Sequence, residues 1–116
     1  MQDFTQHIIE LIRLASTDLP PDVEQSLRKA LEQEEPGSPA YDALEAVIKN
    51  VELSREKSTP ICQDTGTLIF YVKYPEGMSM RKLRKQIEQA VAEATRLSYL
   101  RPNTVNTFTG KNTGNN

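Results

Sequence analysis

The sequence predicts an α+β chain: a mostly helical N-terminal half, then a loop, a buried strand and a long amphipathic helix. Two observations carry this. Apolar residues recur at helical spacing up to about Val51, and the run Thr67-Leu68-Ile69-Phe70-Tyr71-Val72-Lys73-Tyr74 is β-branched and aromatic but too short for a typical helix. A length of 116 residues fits one compact unit, with no second independent core.

In the first helix, Phe4, Ile8, Leu11, Ile12 and Ala15 share one face, with Asp3 as a candidate N-cap. The only histidine, His7, falls on its polar side, where a solvated role is expected. Leu19-Pro20-Pro21 breaks that pattern, and Val23, Leu27, Ala30 and Leu31 align on a second helix with Pro21 in its first turn. After Glu34-Glu35-Pro36-Gly37, Ser38-Pro39 opens a third helix with Tyr41, Leu44, Val47, Ile48 and Val51 on one side. Residues 58–66 have no amphipathic period and read as a loop. The strand follows, and Pro75-Glu76-Gly77 turns the chain. Ser79 then caps a helix whose buried stripe is Leu83, Ile87, Ala90, Val91, Ala94 and Leu97, with Arg81, Lys82, Arg84 and Lys85 as a solvated basic face. From Tyr99 to Asn116 there are five asparagines and no regular period, a composition compatible with disorder or with a binding loop built from turns and side-chain amides.

Composition narrows the function. A net charge of −2 provides no broad attraction for nucleic acid or anionic lipid, and no apolar run approaches the roughly 20 residues needed to cross a bilayer. No secretory signal opens the chain, so a cytoplasmic location is expected. The single Cys62 cannot form an intrachain disulfide and cannot by itself complete a metal site.

Cys62, Gln63 and Asp64 place a soft thiolate, an amide and a carboxylate side by side in a loop. The bland alternative is a buried, inert cysteine among ordinary turn residues. Arg101, just after the last helix and before Pro102, offers a planar fork for a carboxylate; equally, it is placed to satisfy the final helix carbonyls. Thr109-Gly110-Lys111-Asn112 is not a phosphate loop, because Asn112 stands where Ser or Thr is needed and no glycine lies five residues before Gly110.

"TPICQDTGT", "YLRPNTVN" and "TGKNTGNN", in that order over residues 40–116, resemble the N-terminal region of the class I fumarate hydratase and L-tartrate dehydratase alpha-subunit family. The resemblance implies a single truncated region of an iron–sulfur hydro-lyase, with 1–57 as helical lead-in and 58–116 carrying the cluster and substrate motifs. It implies a [4Fe–4S] cluster with Cys62 as one ligand and two further cysteines outside this chain. It implies Gln63, Asp64 and Arg101 as substrate-binding residues, with Asp64 also catalytic. The reaction would be reversible hydration of a small dicarboxylate, fumarate before tartrate. The implied partners are the remaining C-terminal portion or a beta subunit, in a homodimeric complete enzyme, and the isolated chain is expected to be inactive and cluster-free. This sequence departs from the family at Thr107-Phe108, where a Pro-Leu pair is usual, and at Asn115, where aspartate is common. The competing readings are a non-catalytic helical interaction module with a structural Cys62, and a zinc module completed by a partner.

Overall fold

A computed structural model describes residues 2–65, 67–114 and 116. Among them the chain forms helices α1 (Thr5–Thr17), α2 (Pro21–Gln33), α3 (Pro39–Lys57) and α4 (Met80–Arg96).

The helix starts follow local chemistry. The Tyr41 amide donates to Ser38 Oγ (3.1 Å) and the Lys82 amide to Ser79 Oγ (3.3 Å), so these serines satisfy donors that the first helical turn leaves unpaired. Pro21 and Pro39 open α2 and α3, where a missing N–H costs nothing. At α1 the N-cap position is Phe4 rather than Asp3. Asp3 still helps from one residue upstream, its carboxylate accepting from the Thr5 amide (2.9 Å) and hydroxyl (2.6 Å).

The core lies between α1 and α4. Ile9, Ile12, Ala90, Ala94 and Leu100 are buried there, with Ile8, Leu68, Phe70, Val91 and Tyr99 packed around them. Two alanines on α4 allow close approach of α1. The buried residues of α1 are therefore Ile9, Ile12, Ser16 and Thr17, whereas Leu11 is 58% exposed and Ala15 lies on the surface. Leu97, expected in the α4 stripe, also ends exposed. The C-terminal half of α3 buries Ile48, Val51 and Ser54. No residue of α2 is buried.

Charges connect α1, α2 and α3. Arg55 on α3 binds Asp18 (2.8 Å) and Glu24, while Arg28 binds Glu24 (2.9 Å) and Glu52 (2.8 Å). The hydrogen bond from Arg55 holds Asp18 below the ordinary carboxylate range, and it does the same for Glu24 with help from Arg28. The radius of gyration is 17.8 Å, against roughly 13 Å for a compact chain of this length, so the arrangement is open.

The α+β expectation and its buried strand are wrong. Among the described residues no strand or sheet forms, and the only β pairing is one isolated antiparallel bridge between Val105 and Asn112. Residues 67–74 carry no ladder hydrogen bonds, because no second strand lies alongside and a lone strand is not stable by itself. The segment is instead held by side chains: Leu68 and Phe70 pack onto the α1–α4 core, while Ile69 and Tyr71 are 75% and 94% exposed. Its period-two pattern thus marks one face resting on helices. No helix among the described residues is long and apolar enough to cross a membrane.

Candidate functional site

The loop after α3 starts from a left-handed residue. Ser58 (φ 49°) ends the helix, the Thr59 amide donates to the Ser54 carbonyl (3.1 Å), and Arg13 reaches Ser58 Oγ (3.3 Å). The chain then crosses to α1, where the Ile61 amide donates to the Ser16 carbonyl (2.9 Å). Beyond it, Thr65 folds back and donates its hydroxyl to the Cys62 carbonyl (2.9 Å), with Cys62 Sγ 3.3 Å from the same hydroxyl.

The second motif reaches this loop from the far end of α4. The last carbonyls of that helix are satisfied by backbone: Leu97, Ser98 and Tyr99 amides donate to Glu93, Thr95 and Ala94, with Ser98 in the left-handed region (φ 64°). Leu100, 2% exposed, anchors the exit. Arg101 is therefore not the helix cap. Its amide donates to the Thr65 carbonyl (2.7 Å) and its Nε to the Cys62 carbonyl (3.2 Å), which leaves the Nη edge of the guanidinium without a hydrogen bond among the described residues. Asn103 Nδ2 donates to the Gln63 carbonyl (3.2 Å), and Asn50 Nδ2 on α3 to the Ile61 carbonyl (2.8 Å).

The structure thus brings the loop carrying Cys62, Gln63 and Asp64 together with Arg101, although some 39 positions separate Cys62 from Arg101. Cys62 is exposed, against the reading of a buried inert thiol. Gln63 and Asp64 are exposed as well, and neither side chain has a hydrogen-bond partner among the described residues. An apolar groove of about 350 Å³ lies elsewhere, lined by Phe4, Ile8, Leu11, Phe70, Leu83 and Ile87 among others, and takes in none of these residues. His7 also borders it; it is exposed and meets the Phe4 ring edge-on at 6.5 Å.

The asparagine-rich stretch is ordered by its own amides. Asn106 Oδ1 accepts from the Phe108 (2.9 Å) and Thr109 (3.1 Å) amides, Asn112 Nδ2 donates to the Thr104 carbonyl (2.6 Å), and Asn116 Nδ2 donates to the Arg101 carbonyl (3.0 Å). Of the two open readings, a loop built from turns and side-chain amides is the one observed. Phe108, one of the departures from the family pattern, is 97% exposed; Asn115, another, lies outside the described residues, as does Gly66 in the first motif.

The ligand chemistry available is one exposed thiol on a tethered loop, suited to a single corner of a soft-metal or iron–sulfur site. Among the described residues no three His, Cys, Asp or Glu side chains come together as a metal-binding group. Sequence reasoning did not single out Asn50 or Asn116. Asn50 left a signal, since asparagine is a poor residue for a helix interior unless its amide has a partner.

The profile of the fumarate hydratase (Fumerase) family matches residues 5–116. The chain belongs to the fumarate hydratase family. A Geobacillus stearothermophilus protein assigned by name to class I fumarate hydratase is 37% identical over 116 residues, all of this chain and 23% of the relative. The L(+)-tartrate dehydratase subunit alpha of Escherichia coli K12 is 34% identical over 115 residues, 95% of this chain and 38% of the subunit. A Methanocaldococcus jannaschii protein assigned by name to the same alpha subunit is 33% identical over 108 residues, 90% of this chain and 38% of its own length. The chain therefore spans between about a quarter and two fifths of these members of the fumarate hydratase family.

Proposed function

We propose that this chain forms part of a cytoplasmic hydro-lyase that reversibly hydrates a small dicarboxylate, fumarate to malate, using a [4Fe–4S] cluster to which Cys62 contributes one thiolate. The observation that carries the reading is the attachment of Arg101 to the Cys62 carbonyl, which joins two motifs remote in sequence while leaving the Cys62 thiol exposed and the Arg101 Nη edge open. Membership of the fumarate hydratase family supports it. Fumarate is preferred to tartrate because the relative named for fumarate matches the whole chain, at 37% identity.

In this reading the Nη edge of Arg101 receives a substrate carboxylate, an interaction strengthened by charge and by the planar geometry of both groups. Gln63 orients the substrate through its amide. In dehydration the Asp64 carboxylate takes the proton from carbon and passes it to the departing hydroxyl, so that water leaves; hydration is the reverse, one water supplying both the hydroxyl and, through Asp64, the proton added to carbon. The cluster, when bound, supplies a Lewis acid for the hydroxyl that is added or lost. Cys62 would hold one corner, and two further cysteine ligands would come from outside these residues, downstream in the polypeptide. By itself, residues 1–116 would hold no cluster, since one thiolate cannot replace three.

The test is anaerobic production of the complete gene product, with its beta subunit if it has one, as native protein and as Cys62→Ser. We expect iron, acid-labile sulfide and fumarate hydration in the native protein, and at least a hundredfold loss of activity with loss of cluster in the variant. A Cys62→Ser protein that keeps both would remove this reading and favour a non-catalytic helical module. Tartrate dehydration measured in parallel decides the substrate.

A further inference from the structure

We propose that Asn50 and Asn103 are positioning residues which, with the Arg101 Nε, clamp the backbone of the Cys62-Gln63-Asp64 loop so that the Cys62 and Gln63 side chains project ready for use and Asp64 follows from a fixed peptide. The carbonyls of Ile61, Cys62 and Gln63 are consecutive, and each accepts from a different remote side chain: Asn50 Nδ2 at 2.8 Å, Arg101 Nε at 3.2 Å and Asn103 Nδ2 at 3.2 Å. Two amides secure the flanks, Ile61 to the Ser16 carbonyl and Arg101 to the Thr65 carbonyl. Fixing the directions of these three peptides fixes where the two Cα–Cβ bonds between them, those of Cys62 and Gln63, point, and it holds Asp64 from its N-terminal side. The donors come from α3 and from the segment after α4, which is anchored by the buried Leu100, so the loop is tied on two sides.

The division of labour is what indicates positioning rather than general stability. The loop's main chain is engaged, while Cys62, Gln63 and Asp64 are exposed and the Gln63 and Asp64 side chains have no partner among the described residues. The exposed thiol is the informative part, since free cysteine is among the most often buried residue types, whereas exposed Gln and Asp are ordinary in a loop. Reactive groups need placement within about 0.5 Å, which a free loop does not provide. The inference rests on the proposed use of these three side chains, and its test is arranged to fail separately from that proposal.

Asn50→Asp and Asn103→Asp keep shape but replace the donating amide with an acceptor facing a carbonyl. In the complete protein without cluster, amide exchange at Ile61 and Arg101 should rise about tenfold, with Tm unchanged within about 2 °C and exchange in α1 and α4 unaltered. After anaerobic supply of iron and sulfide, the variants should show an altered cluster EPR signal and about tenfold lower kcat, with KM for fumarate changed less than twofold. Unaltered loop exchange would overturn the clamp, as would a rise shared with the core and accompanied by a lower Tm. Faster loop exchange with native EPR and kcat would overturn the positioning role. If the native protein takes up no iron and sulfide, the proposed cluster fails, and the exchange measurement still decides whether the clamp exists.

Discussion

The α1–α4 pair and the loops around Cys62 are held by opposite means. Between the helices, Ile9, Ile12, Ala90, Ala94 and Leu100 exclude water and contribute through area removed from solvent. No residue from 58 to 65 is buried, and order there comes from side-chain amides and one guanidinium bonded to backbone carbonyls. Apolar packing is strong and non-directional, whereas hydrogen bonds contribute less but fix orientation. The chain thus places its stability in one region and its directional control in another.

The largest effect should come from breaking the first region. Ile12 is 2% exposed and faces the two α4 alanines' side of the core. Ile12→Ala should cost about 3 kcal/mol and lower Tm by about 10 °C or more in thermal unfolding. A shift below about 3 °C would mean that α1 and α4 are not the main cohesive contact.

A smaller, local effect should follow in the second region. Asn106 Oδ1 accepts two amides, from Phe108 and Thr109, so Asn106→Ala should speed exchange of both by about fivefold, with little change in Tm. Asn106→Asp keeps the acceptor and should preserve their protection. Equal loss in both variants would show that the turn does not depend on this oxygen.

The same contrast explains what was legible beforehand. Helical spacing and the serines at 38 and 79 marked α3 and α4 because both signals are local. Apolar residues at Ile8, Ile9, Leu11, Ile12 and Leu14 nearly encircle α1, so only the facing α4 alanines decide that Ile9 rather than Leu11 goes inside. Residues 67–74 misled because β-propensity reports a half-buried surface, which a pair of helices supplies as well as a sheet does. At the site, Cys62, Gln63, Asp64 and Arg101 could be picked out by chemical type and motif. Their attachment could not, since an amide reaching a carbonyl 40 positions away, as Asn103 does, follows no period.

The ion network is a third arrangement and should give the smallest effect, because its members are partly solvated, with side-chain exposure of 17% for Glu24, 28% for Asp18 and 41% for Arg55. Arg55 bridges Asp18, beside the end of α1, to Glu24 on α2, and holds both carboxylates below the ordinary range. The folded chain therefore binds fewer protons than the unfolded chain at acidic pH. This contribution is fully present above about pH 4.5 and is lost as pH falls through the lowered folded-state values. Arg55→Ala should lower Tm by about 2–4 °C at neutral pH and low salt, and the difference from native protein should shrink below about pH 4 and in 1 M salt. Amide exchange should rise in α2, which buries no residue, before it rises in α1. An equal rise in both helices would mean that α2 and the core unfold as one unit, and that charge and apolar packing are not separable here.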